Sequence, residues 1–283
     1  MGSISDFLRV VTQEIYINLR SSDDKIVTQL PLVFPIRRVT TAKFQYVSQI
    51  THQLAAKLGS TPAEICQQLQ PKIATANANT CPHLAIWTWP NDAGDLYFQL
   101  TPGAMVIWLN YIHDRSLEGG DAVKIDRQVH SSCAHSSSSI PLYAHARCCS
   151  LLRLACTEKI ISIDDHWQLT TPNWLICDRD RAQNSPTTDQ ILVFENPTED
   201  RLIQTLMDVL DGICGNRPQN WAKLTLKLAE SWLEFDRYCQ IFGDTKRQNP
   251  QLAIARCGLT AISRRYLQVL LEEYLGVIAL VEL

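Results

Sequence analysis

Three potential metal ligands stand together in His130-Ser-Ser-Cys133-Ala-His135. Zinc in a structural site takes four rigidly held ligands, and three within a serine-rich stretch leave one missing. Cys81 with His83, and the adjacent Cys148-Cys149, come no closer to a zinc spacing, so no metal is expected. His145 and Cys148 are three residues apart, as a base and a nucleophilic thiol on one helix would be. They lie in an apolar run, however, where burial raises a thiol pKa and keeps it unreactive. The acidic pairs Asp164-Asp165 and Glu272-Glu273 are adjacent in sequence, which points their side chains apart, and they read as solvated surface. The remaining chemistry is cationic and aromatic. Arg147, Arg153, Arg256, Arg264 and Arg265 are candidates for phosphate contacts, and Tyr143, Tyr238 and Trp221 for stacking on unpaired bases. Arg256 and Arg264 are eight apart with Thr260 midway, so they share a stripe about two helical turns long. The alternative carries equal weight: the same arginines pair with Glu230, Glu234, Asp236 or Glu272 and fasten neighbouring helices.

The elements that must position these residues begin with Pro141–Ala155. Four serines, Ser136 to Ser139, offer an N-cap, and Pro141 suits the first helical position. From Leu142 to Cys156 the run is apolar almost all round, which marks a central helix. Tyr143, Arg147 and Ser150 share one polar stripe along it at i, i+4 and i+7. Before it, Phe44, Val47, Ile50, Leu54 and Leu58 predict a helix over 42–58, ended by Gly59. Thr61-Pro62-Ala-Glu64 is a capping box opening a helix to Gln70, which Pro71 stops or kinks. The runs 83–89 and 95–100 predict a hairpin around Pro90–Gly94, and a further helix extends to about His113. Residues 26–38 carry two prolines and read as irregular or edge strand.

Residues 114–139, with Gly119-Gly120 and seven serines, read as a linker. Past the central helix, 159–177 predict a small hairpin or extended insert. Asn196-Pro197-Thr-Glu199 caps a helix ended by Gly215. Helices are predicted over Trp221–Phe242 and from Pro250 onward.

The chain has 283 residues, 46% hydrophobic and 19% charged, with 26 Lys and Arg against 29 Asp and Glu. This is a globular composition, and neither half is basic: residues 1–139 hold 11 of each sign, and 140–283 hold 15 basic and 18 acidic. Tight, nonspecific nucleic-acid binding is therefore not expected, and any RNA contact must come from a local patch. No apolar run reaches the roughly 18–20 residues of a membrane span, and Met1–Asp6 lacks a secretory pattern. Ten cysteines scattered through apolar helical runs suit a reducing cytoplasm better than a disulfide framework.

Several ordered blocks resemble arginyl-tRNA synthetases. Tyr143-Ala-His145-Ala-Arg147, then Cys149-Ser150-Leu-Leu-Arg153, resembles the first helix of the family's DALR anticodon-binding domain. Leu228–Tyr238 and Ala255–Leu267, running into Leu275-Gly276-Val277, resemble later helices of that domain. Leu54–Ile65 and Gly94–Leu100 look like the family's N-terminal additional domain. The resemblance implies an α+β chain in three parts: a small α/β additional-like domain over 1–113, a linker over 114–139, and an all-α DALR-like bundle over 140–283. The synthetases carry their catalytic domain between these modules, and neither of its signatures, His-x-Gly-His or Lys-Met-Ser-Lys, occurs here. The resemblance therefore implies a non-catalytic relative without ATP or other cofactor, binding tRNA or another structured RNA. The alternative is a protein-interaction or assembly factor on the same fold. Tyr97 and Gln99 are the contact candidates of the first domain. Tyr97 stands where the family has asparagine, and Asp95 where it has phenylalanine. Ile278-Ala-Leu-Val-Glu-Leu283 replaces a polar tail that helps the family read the anticodon.

Overall fold

The computed structural model describes residues 36–39, 43–80, 86–114, 139–165, 167, 169–171, 174–175, 194, 196–214 and 219–282, with the backbone alone for 74–80 and 86–90. It is an α+β structure that divides into two compact units between Trp108 and Leu109. No helix among the described residues is long and apolar enough to cross a membrane. The metal candidates His130, Cys133 and His135, most of the linker, Cys81 and His83 lie outside the described residues.

The first unit holds a four-stranded antiparallel sheet in the order β1-β2-β4-β3: β1 Ile36–Arg38, β2 Gln45–Ser48, β3 Ile86–Pro90 and β4 Leu96–Leu100. β1 is an edge strand. Strand β4 shows the period-two pattern plainly, with Leu96, Phe98 and Leu100 buried and Tyr97 and Gln99 half-buried between them. Helix α1, Ile50–Leu58, starts later than the periodicity predicts. Gln45–Ser48, with the aromatic Tyr46 and β-branched Val47 at its centre, pairs with β4 instead, setting Val47 opposite Tyr97 and Gln45 opposite Gln99. Phe44 turns the chain into that strand at φ 55°, and Gly59 ends α1 in the left-handed conformation, its N–H bonded to the Ala55 carbonyl.

Helix α2, Pro62–Thr80, opens on the expected capping box. Thr61 N–H donates to Glu64 Oε2 at 3.0 Å and Glu64 N–H to Thr61 Oγ1 at 3.3 Å. The hydrogen bond from the Thr61 backbone holds the Glu64 carboxyl below its ordinary value. Pro71 does not stop this helix, which runs nine residues past it. Ile65, Cys66, Leu69 and Ile73 stay buried on one face across the proline, so packing outweighs the lost backbone bond. Thr51 Oγ1 donates to the Gly94 carbonyl at 2.6 Å, and a Cβ on Gly94 would stand 2.6 Å from the Pro62 carbonyl carbon. Glycine is thus what lets the hairpin close onto α2. Helix α3, Pro102–Asp114, is capped by Thr101 Oγ1, which accepts from Ala104 N–H.

The second unit is a helical bundle: α4 Ser139–Thr157, α5 Pro197–Cys214, α6 Trp221–Tyr238, the short α7 Asp244–Gln248 and α8 Pro250–Val269, with a π-helical turn at Leu270–Tyr274. Helix α6 ends four residues before the predicted Phe242, because Cys239 leaves the helix while its N–H still caps Phe235. Helices α5 and α6 are antiparallel, tied by Arg201 to Glu234, Thr205 to Ser231 at 3.3 Å and Asp208 to Lys227 at 2.7 Å. Cys149 on α4 lies beside Arg264 on α8, while Cys156 near the far end of α4 faces Cys257, so these two helices are also antiparallel. Arg256 reaches the Gln240 carbonyl just past α6, and Trp221 at the start of α6 packs on Tyr274 just past α8, at 4.0 Å between rings. Helix α8 therefore opposes α6 as well, and α4 and α6 run in the same direction.

Helix α8 is the most enclosed element, buried on every side from Ala255 to Arg264. Where a small hairpin or extended insert is predicted over 159–177, the described residues show a bridge of Ile163 with Leu169, followed by Trp174, which covers Gly258. A Cβ at Gly258 would come within about 2 Å of the Trp174 ring. His113 holds this segment in place: its Nε2 accepts from Leu169 N–H at 3.2 Å and its ring packs on Trp174. Accepting there leaves Nδ1 to carry the proton toward Asp114.

The stripe of Arg256 and Arg264 exists, but it faces inward. Glu199, fully buried, accepts from Arg256 Nε at 2.7 Å, and Arg256 Nη1 donates to the Gln240 carbonyl at 2.6 Å. Stripping one partner from such a pair leaves an uncompensated buried charge. Arg256→Ala is expected to cost about 3–5 kcal/mol, against about 0–1 kcal/mol for Arg147→Ala at the exposed Arg147–Asp236 pair. Urea unfolding of both variants checks this, and equal shifts of the two midpoints would show that the buried pair is not a structural tie.

Candidate RNA and partner interface

Helix α4 presents two faces with different chemistry. Tyr143, Arg147, Ser150 and Leu154 form one exposed stripe at the expected spacing, Tyr143 being 48% exposed. Arg147 Nε donates to Asp236 Oδ2 at 3.1 Å, which links this stripe to α6. Two residues beyond Asp236, the Tyr238 ring is 58% exposed at the end of α6. A half-exposed arginine held by one carboxylate, with exposed tyrosines on the two helices it joins, can offer a guanidinium to a phosphate and flat rings to bases.

The other face carries His145, Cys149 and Arg153, one turn apart each. His145 is 1% exposed, and its Nδ1 donates to the Leu280 carbonyl at 2.7 Å. Arg153 Nη1 meets the Glu282 carboxylate at 2.9 Å. Leu280 and Glu282 thus lie along this face, while the Ala279 N–H just before them donates to Glu272 Oε1 at 3.4 Å. Arg264 is 6% exposed and packs beside the Cys149 thiol. Its Nη1 donates to Gln268 Oε1 at 3.1 Å, and its Nε finds no acceptor among the described residues. The guanidiniums of Arg153 and Arg264 both lie over the Trp167 ring, 5.2 and 5.3 Å from its centroid.

Of the arginine candidates, therefore, Arg147 and Arg153 are partly exposed, whereas Arg256 and Arg264 are buried. Arg265 is half-buried and donates to the His113 carbonyl at 3.1 Å. Burial pushes the Cys148 and Cys149 thiols up, and Cys257 to about 12, which disfavours the nucleophilic thiolate form. No cluster of three metal-ligating side chains occurs among the described residues. In the first unit Gln99 Nε2 donates to the Lys43 carbonyl at 3.1 Å, and Tyr97 shares its face of β4. These two belong to the sheet of the first unit, and the α4 residues to the second.

Glu199, Trp167 and Glu282 were invisible as partners in the sequence. Only the capping box around Glu199 signalled that residue, and it did so for a different task. Comparison with family models finds no match, and neither curated proteins nor solved structures give one.

Burial lowers the pKa of His145; the bond to Leu280 and the Glu272 charge oppose this, and the Arg264 charge reinforces it. The folded protein therefore resists a proton that the unfolded chain accepts near 6.5. Stability from this group is full above that value and is lost as the pH falls below it. Thermal melts at pH 7.5 and 5.5 should show a larger acid loss for the wild type than for His145→Asn. Equal losses in the two proteins would mean that His145 does not carry the effect.

Proposed function

We propose that the protein is a non-catalytic relative of arginyl-tRNA synthetase that binds tRNA or another structured RNA in the cytoplasm. Its first unit corresponds to the additional-like domain and its second to the DALR-like bundle. The observation that carries this reading is the exposed set Tyr143, Arg147 and Tyr238, gathered by the Arg147–Asp236 contact on helices whose sequence blocks resemble the anticodon-binding domain. Arg256 and Arg264 are buried and Arg265 is half-buried, so this set supplies the local patch that an otherwise acidic chain needs for RNA. No residue in this reading has a catalytic role, and neither ATP nor a metal takes part.

A second reading is a protein-interaction or assembly factor. It draws on the exposed Ile278, Leu280 and Val281, which stand where the family has a polar tail, and on the net charge of −3.

A tRNA transcript titrated against the protein at two salt concentrations separates the readings. RNA binding should weaken with salt, and Arg147→Ala should reduce the slope by about one unit. Tyr143→Ala and Tyr238→Ala should each cost about 1–3 kcal/mol if the rings stack on bases, without lowering the melting temperature appreciably. Absence of any salt-sensitive binding at low ionic strength would sink the RNA reading in favour of a protein partner.

A further inference from the structure

Arg264 poses a problem of charge. Its guanidinium is almost wholly buried, yet no carboxylate among the described residues pairs with it. Its contacts are a neutral amide, a protonated thiol and the Trp167 ring. The nearest charge of opposite sign, Glu272, is bonded to that amide and not to Arg264, and Nε is left without an acceptor among the described residues. A buried cation of this kind ordinarily has an anion beside it. Across the helix pair, His145 Nε2 is likewise buried and without a hydrogen-bond partner among the described residues. Arg153, two turns beyond His145, lies over the same Trp167 ring as Arg264.

Two carboxylates stand near this cluster among the described residues. Glu272 accepts from Gln268 Nε2 at 3.3 Å and so meets Arg264 through that amide, and Glu282 reaches only Arg153. Glu282 is 77% exposed, so solvent screens the contact and little holds it there. The same segment covers His145 through the Leu280 carbonyl, while Ile278 beside it stands almost free in solvent. Ala279, itself buried, donates its N–H to Glu272 Oε1 at 3.4 Å. Beyond it, one backbone acceptor at Leu280 and one surface ion pair at Glu282 hold a short strap across the imidazole of His145 and the fork of Arg153.

We propose that Arg153 and Arg264, bridged by Trp167, form a phosphate-binding site, and that the segment Leu280–Glu282 is a strap that Glu282 closes over it in place of the ligand. Displacing the strap frees the Arg153 fork and opens the buried Arg264 and His145 to the incoming oxyanion, while Trp167 keeps both guanidiniums oriented. The inference rests on the RNA reading for the natural source of the phosphate, an RNA phosphodiester. The site itself is defined by oxyanion chemistry, and a free phosphate is the other source of the same group. This site lies on the His145–Arg153 face of α4, away from the Tyr143–Arg147 stripe.

Glu282→Gln keeps the shape of the strap and removes its charge, at an exposed position where folding is not at stake. Wild type, Glu282→Gln, Arg153→Ala and the double variant would be titrated with a tRNA transcript and, separately, with inorganic phosphate. Glu282→Gln should bind the transcript about two- to five-fold more tightly than wild type. Arg153→Ala should abolish that gain in the double variant. Equal affinity of Glu282→Gln and wild type for both probes would overturn the strap, even with RNA binding intact. A gain that survives Arg153→Ala would overturn the site. Tighter binding of inorganic phosphate by Glu282→Gln, with no transcript binding by any variant, would uphold the site and reject RNA as its source. Binding of neither probe by any variant would overturn both.

Discussion

The buried contact between Glu199 and Arg256 is the constraint on which the bundle depends. A carboxylate with no solvent exposure is tolerable only when its oxygens are occupied, and here both are. Oε1 accepts from Arg256 and Oε2 from the Asn196 backbone N–H at 2.8 Å. Glu199 is therefore at once the third residue of the α5 capping box and the counter-ion of α8. Asn196 Oδ1 completes the box by accepting from Thr198 N–H at 2.9 Å. Arg256 spends another donor on the Gln240 carbonyl, so one node fixes the start of α5, the exit of α6 and the middle of α8. The exposed face is set by the same node. Where α6 ends determines where Asp236 and Tyr238 stand, and Asp236 in turn holds Arg147.

Burial sorts the arginines into two kinds, a distinction the sequence could not make. Arg256 and Arg264 are spaced as a surface stripe would be, but α8 is enclosed on all sides, so that stripe meets other helices. One inward arginine has a dedicated carboxylate; the other has an aromatic ring and neutral partners, and meets Glu272 through the Gln268 amide. Only the first is electrostatically complete. Outward chemistry is left to α4 and the end of α6, where tyrosines and a loosely held guanidinium face solvent.

How much of this was legible depended on the range of the interaction. Local signals were: the Thr61–Glu64 and Asn196–Glu199 boxes, Gly59 as a helix end, the alternation of β4, and the polar stripe of α4 all appear as sequence spacing indicates. Helix and strand were confused at 44–47, where Phe44, Tyr46 and Val47 fit either period over so short a stretch and only pairing with β4 decides. Pro71 misled because a local cost was outweighed by the buried face of α2. The site was the least legible part. Arg256 finds Glu199 57 residues away, and Arg153 finds Glu282 across nearly the whole second unit. Such pairings depend on which helix lies beside which, and spacing along the chain carries no record of that.

The central claim is that this face of the bundle, and not merely the fold, touches RNA. Photocrosslinking of a bound tRNA transcript, followed by mass spectrometric mapping of the attached peptides, tests it most directly. The account predicts crosslinks on the α4 and α6 peptides that carry Tyr143 and Tyr238. Crosslinks confined to the first unit, or none at low ionic strength, would contradict it.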